Sequence, residues 1–160
     1  MATATPPKQP GALHSCPIVE LTYDQIAAWL DAKAPELCRE QFVAIVAIMQ
    51  SGLFPAVTCS YATDAPLHYL GYDRNTQTAE WQGPAPPPGR LLLCQDIADG
   101  GDDLVNCLTM LRTTHPDVMV LTVLSDEQSR TIPNWSMRFP GQTVVMPWKK
   151  KGQSALVNKE

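Results

Sequence analysis

The stretch LLLCQDIADGGDDL, residues 91–104, runs from an apolar segment into acids, then two glycines, then a second acidic pair. RLLLC (90–94) reads as a buried strand and QDIADGGDD (95–103) as a loop rich in acid and glycine. DLVNCLTMLRTT (103–114) reads as a helix with Leu104, Leu108 and Leu111 on one side. A strand that enters a helix through glycines is built for anions. The freed backbone N–H groups and the positive helix end can cradle a phosphate, while upstream carboxylates can hold sugar hydroxyls or a magnesium-bound sugar. The other reading is a tight turn followed by a capped helix, with Asp102 or Asp103 at its start, where carboxylates suit the macrodipole. Asp96, Asp99 and Asp102 recur every three residues, which is not the alternation of a calcium loop. The glycine patterns of dinucleotide and P-loop sites are also missing.

Working outward, FVAIVAI (42–48) and VMVLTVL (118–124) are short and almost wholly apolar, as expected of strands covered on both faces in a parallel sheet. TVVMPW (143–148) is a candidate fourth strand. Thr22-x-x-Gln25 has the form of a capping box before Ile26, Trp29 and Leu30, and Pro35 ends that helix or begins the next. LFPAVTCSYA (53–62) suits a helix with Pro55 in its first turn. Residues 67–82 suit two edge strands around Asp73-Arg74-Asn75. Buried strands alternating with amphipathic helices imply an α/β fold with a doubly wound, mainly parallel sheet. Ligands of such sheets sit at the carboxyl ends of strands, so the loops after 48, 94 and 124 are the candidate site.

With 160 residues the chain has the length of about one domain. Its formal charge of −4 argues against nucleic-acid binding, and no apolar run is long enough to span a membrane. The start lacks the apolar core of a signal peptide, and the five cysteines form no C-x-x-C pair, so the expectation is a reduced, cytoplasmic protein. His14, His68 and His115 match no zinc spacing, and His115 before Pro116 suits a solvated or capping role. Fifteen prolines are about twice the usual share. Eight of them fall in residues 1–17, expected to be a flexible arm, and in GPAPPPG (83–89), expected to be an extended, hood-like loop. The domain is expected over 18–150, with 151–160 as a polar tail; the lysine run 149–151 reads as a surface feature.

LLLCQDIADGGDDL resembles the signature of type I phosphoribosyltransferases: four apolar residues, two acids, two apolar residues, an acid, then Thr-Gly-x-Thr. IVAIMQSGLFPA (45–56) is similar to that family's first strand and pyrophosphate loop, and VVMPW (144–148) to the closing apolar-Pro-Trp segment of the small bacterial xanthine–guanine and hypoxanthine branch. The resemblance covers roughly residues 20–150. It implies that fold, phosphoribosyl pyrophosphate or a nucleoside monophosphate as ligand, Mg2+ as cofactor if the protein is active, and a homo-oligomer or other protein partner.

The family's functional positions are altered one after another. Gln95 stands for the first ribose-binding acid, while Asp96 remains for the second and is the candidate metal contact; Asp99 keeps the acid that acts as general base. Gly100 and Asp103 replace the two threonines of the phosphate loop, and Gly101 is retained. A carboxylate about 4 Å from a phosphate opposes it by roughly 4 kcal/mol at an effective dielectric near 20, about three decades of affinity. The pyrophosphate loop reads Met49-Gln50-Ser51-Gly52, without its usual cation. Asp126 stands where purine-specific relatives carry a lysine, and Thr143 where an aromatic residue stacks on the base. Trp135 is either a substitute for that aromatic or a packing residue, and Arg74 is a candidate cation on a mobile hood. The pattern implies a non-catalytic regulatory or partner-binding subunit; the alternative is an active Mg-dependent transferase with altered base preference. The arm and residues 84–88 are candidate partner contacts, since polyproline II is preorganised for docking.

Overall fold

The apolar runs become strands because only a sheet covered on both faces removes every one of their side chains from water. The computed structural model describes residues 17–149. The expected arm, apart from Pro17, and the polar tail lie outside the described residues. In chain order the elements are β1 (Ile18–Glu20), α1 (Tyr23–Arg39), β2 (Ala44–Ile48), α2 (Leu53–Thr63), β3 (Leu67–Asp73), β4 (Thr78–Trp81), β5 (Leu91–Ala98), α3 (Asp102–Arg112), β6 (Val118–Ser125), β7 (Trp135–Met137) and β8 (Thr143–Val145). Six strands form one sheet in the order β4-β3-β2-β5-β6-β7, parallel except for the antiparallel β3–β4 hairpin. This is the expected α/β architecture with a mostly parallel sheet.

From β2 the chain winds outward to β3, then returns to β5 on the other side of β2. The order therefore reverses between β2 and β5, and a crevice opens between their carboxyl ends. One face of the sheet packs on α1 and α2 through Ile26, Leu30, Leu37, Ala56 and Cys59; the other packs on α3 through Leu104, Cys107, Leu108 and Leu111. Among the described residues no helix is long and apolar enough to cross a membrane.

Several local expectations need correction. Helix α1 starts at the Thr22–Gln25 capping box, with Gln25 N donating to Thr22 Oγ1 at 3.2 Å and Thr22 N to Gln25 Oε1 at 2.9 Å. It does not stop at Pro35. Pro35 and Asp31 both face solvent, so the unpaired Asp31 carbonyl stays accessible to water, while buried Leu37 rewards continuing the helix. Strand β5 runs on to Ala98 because its backbone stays paired with β6 as far as Ala98–Ser125. Residues 143–145 do not join the main sheet; they pair with β1 in a separate two-stranded sheet.

One edge of the main sheet is β7, which periodicity missed. It is too short to show alternation, and Asn134 positions it by accepting from Val120 N at 2.7 Å and donating its own N–H to Val120 O. Trp135 is a packing residue: it meets the Phe42 ring edge-on at 6.4 Å, and its Nε1 donates to Glu36 Oε2 at 2.9 Å.

The proline-rich loop is no hood. Because β4 runs antiparallel to β3, residues 83–89 lie at the amino ends of the strands, opposite the crevice. There Pro86 is buried, and His115, also buried rather than solvated, holds the Pro87 carbonyl through Nε2 at 3.2 Å. Arg90 clamps the same end, donating to Asp117 Oδ2 at 2.7 Å and Glu40 Oε2 at 2.6 Å.

The Trp135 indole N–H, followed by Lys33, holds the Glu36 carboxyl below the usual glutamate range. A depressed carboxyl stabilises the fold above its unfolded pKa and loses that effect as pH falls through the folded value. The stability difference between the natural protein and Glu36→Gln, measured by urea unfolding, is expected to shrink between about pH 6 and about pH 3. A difference that does not change over that interval would refute the contact's role.

Candidate functional site

The crevice at the β2–β5 reversal has a volume of about 720 Å3 and is bounded by the 49–52 loop, α2, the tip of the β3–β4 hairpin and the carboxyl end of β5. Position 52 sets its width. A Cβ on Gly52 would fall inside the Cys94 carbonyl oxygen and 2.9 Å from that of Ile48, so α2 can approach β5 this closely only with glycine there. Gly52 thus has a packing role in addition to its place in the loop. The Met49–Gln50 peptide is cis.

Three side chains span the reversal. Ser51 Oγ donates to Gln95 Oε1 at 3.1 Å, and Gln95 Nε2 donates to Asp103 Oδ2 at 3.2 Å. Gln95 is 4 % exposed, and an amide suits this place because it accepts on one side and donates on the other. Ser51, Gln95 and Asp103 are therefore brought together, and Gln50 lines the same crevice.

The glycine loop is filled by the chain's own acids, though not in the way expected of a capped helix. Neither Asp102 nor Asp103 caps α3, whose N-cap is Gly101. Asp99 Oδ1 instead accepts from Gly101 N at 2.8 Å, and Asp103 Oδ1 accepts from the adjacent Leu104 N at 2.9 Å. Both carboxylates converge on one point: a Cβ at Gly101 would lie 2.7 Å from Asp99 Oδ1 and 3.1 Å from Asp103 Oδ1. Gly100 faces open space. Asp102 is ion-paired with Arg130, which closes the outer side of the loop.

Asp96 is 4 % exposed and is approached by two groups that the sequence did not place beside it. Trp148 Nε1 reaches its Oδ2 at 3.4 Å and Lys149 Nζ at 3.9 Å. Lys149 is thus a crevice residue rather than part of a solvated run. The Trp148 ring packs against Phe54 at 5.6 Å and Tyr23 at 6.0 Å, giving the crevice an aromatic wall. These three residues stand far apart in sequence and share no local pattern, so only their assembly reveals them. Arg74 does reach the rim, lining both the crevice and the acidic loop, beside Tyr72, whose hydroxyl accepts from Asn106 Nδ2 at 2.9 Å.

Asp96 meets the crevice only through Trp148 and Lys149, which line it, and Asp126 and Thr143 lie outside the lining altogether. Asp126 closes a turn after β6, where its Oδ1 accepts from Gln128 N at 3.0 Å. Thr143 N donates to Pro17 O at 2.9 Å in the β1–β8 pair. The residues also do not suit a magnesium-bound diphosphate. Gln95 is neutral, and at Asp96 a cation would have to compete with the Lys149 ammonium and the Trp148 indole N–H.

Gly52→Ala is expected to destabilise the fold by about 3 kcal/mol, at the upper end for overpacking because both opposing atoms are backbone; thermal or urea unfolding measures it. Burial, with Asp103 contributing, pushes the Cys107 thiol up to about 12. In the native protein near pH 8, exposed Cys38 is therefore expected to react with a thiol reagent while Cys107 does not. Labelling of Cys107 at a similar rate would refute that assignment.

No family model matches the chain, and no curated protein is similar to it at a significant level. Solved structures are. A purine phosphoribosyltransferase from Pyrococcus horikoshii superposes with a TM-score of 0.72 at 20% identity, over 83% of this chain and 95% of its own. A hypothetical protein from Neisseria gonorrhoeae with bound ppGpp gives 0.67 at 18% identity, over 87% and 93%. The xanthine-guanine-hypoxanthine phosphoribosyltransferase of Helicobacter pylori gives 0.65 at 14% identity, over 82% and 91%. Strand order, the crevice at the β2–β5 reversal and near-complete coverage of these structures agree on one point: this chain has the type I phosphoribosyltransferase fold.

Proposed function

We propose that the chain is a phosphoribosyltransferase-fold protein that does not transfer phosphoribosyl groups and serves as a regulatory or partner-binding subunit, as a homo-oligomer or with another protein in the cytoplasm. The observation that carries this reading is the pair of carboxylates, Asp99 and Asp103, converging on Gly101. In this fold the glycine loop offers backbone N–H groups at the strand–helix junction, and the one at Gly101 is already taken by a carboxylate. The electrostatic opposition reckoned for one acid acts here from two. Asp99 is also committed to that contact, which disfavours its use as a general base.

The rest of the crevice supports binding without transfer. The 49–52 loop carries no cation to neutralise a pyrophosphate leaving group as its charge grows. The volume and the aromatic wall nevertheless leave room for a ligand of nucleotide size. The Neisseria gonorrhoeae protein of similar fold was solved with bound ppGpp, which supports the nucleotide class as an occupant. The proline-rich loop and the amino-terminal arm remain candidate partner contacts, the former at the end of the sheet away from the crevice.

Calorimetric titration with phosphoribosyl pyrophosphate and Mg2+, followed by an assay for released pyrophosphate with purine bases, tests the proposal. Neither micromolar binding nor release is expected. Replacing both carboxylates, in the variant Asp99→Asn with Asp103→Thr, is expected to raise affinity for inorganic phosphate by at least about tenfold, a fraction of the Coulomb opposition because solvent screens the loop. Pyrophosphate release by the natural protein would instead establish the alternative, an active Mg-dependent transferase with altered base preference.

A further inference from the structure

We propose that Trp148 and Lys149 form an internal latch between the crevice and Asp96, so that a ligand in the crevice reaches this acid only by displacing these two residues. The proposal rests on the reading of the crevice as a binding site and names how that site is regulated.

Asp96 is a buried carboxylate with loose partners. Charge-assisted hydrogen bonds from nitrogen to carboxylate ordinarily lie near 2.7–2.9 Å. The two groups at its Oδ2 stand at 3.4 and 3.9 Å. By contrast, the structural pairs of Arg90 elsewhere in the fold measure 2.6 and 2.7 Å. A buried charge held this loosely gains from a better donor. The latch therefore compensates Asp96 without saturating it.

The segment is also built to have a seat and a pivot. Val144 and Met146 are fully buried and anchor its start, and Lys149 N donates to Met146 O at 3.1 Å, folding Pro147 to Lys149 into a single turn. The indole rests on Tyr23, the first residue of α1, and on Phe54, in the first turn of α2. Its ring is thus held by packing from two helices, while its N–H and the following ammonium project to Asp96. Among the described residues beyond Met146, no strand pairing restrains the turn. Its position depends on the aromatic seat and on Asp96, and a donor-rich ligand competes for the second of these.

The test uses the full chain and inosine, a nucleoside whose hydroxyls can donate to Asp96 and which has no phosphate for Lys149 or the acidic loop to attract or repel. In 1H–15N spectra the Trp148 indole resonance is identified by its loss in Trp148→Phe. It is expected to move in Asp96→Asn, and an unmoved resonance would overturn the latch. Lys149→Ala and Trp148→Phe, both checked for folding by thermal melting, are expected to bind inosine at least about fivefold more tightly than the natural protein, the lower end of ordinary coupling between sites. Binding no tighter than that of the natural protein, or absent from all three, would also overturn it. Pyrophosphate release by the natural protein would refute the non-catalytic reading alone, because the indole measurement does not depend on it.

Discussion

The amino end of α2 lies against the backbone of β5 with no room for a single carbon at position 52, and much of the site follows from that contact. It brings the 49–52 loop within reach of Gln95, so that Ser51, Gln95 and Asp103 bridge the sheet where the strand order reverses. It also places Phe54 beside Trp148, which completes the aromatic wall. A larger residue at 52 would force α2 outward and loosen all of these together. The crevice is therefore a consequence of backbone packing before it is a consequence of any polar side chain.

Within that frame, the acids around the crevice are mostly engaged by the chain's own donors. The acids of the glycine loop take up donors that the loop would otherwise present, and Asp102 takes Arg130. The buried amide of Gln95 puts no further charge next to Asp96 and Asp103 and links two loops, accepting from Ser51 and donating to Asp103. The remaining acid, Asp96, is attended by an indole and an ammonium. Each of these contacts is modest alone. Together they make a crevice in which the chain's own groups meet one another's hydrogen-bonding needs.

The fold was legible because its strands are short apolar runs and its helices carry amphipathic stripes, signals that survive without knowledge of any partner. The capping box at Thr22 and the leucine stripe of α3 were read from spacing, and the structure shows both. Elements whose formation depends on a neighbour were misread. The polar half of β5 is a strand only because β6 pairs with it, β7 exists only as an edge to β6, and β8 finds β1 instead of the main sheet. Pro35 and the proline-rich loop show the same limit, since local preference is overridden where burial or chain direction decides.

The sequence by itself determined the layered α/β architecture, the acids of the glycine loop and the absence of a cation from residues 49–52, because residue type and spacing carry that information directly. Only the tertiary structure decided which acid meets which amide, that Asp99 rather than Asp103 holds Gly101, and that Trp148 and Lys149 reach Asp96 across the fold. Those outcomes depend on distances between segments far apart in the chain. Such distances are set by close packing, and no local pattern encodes them.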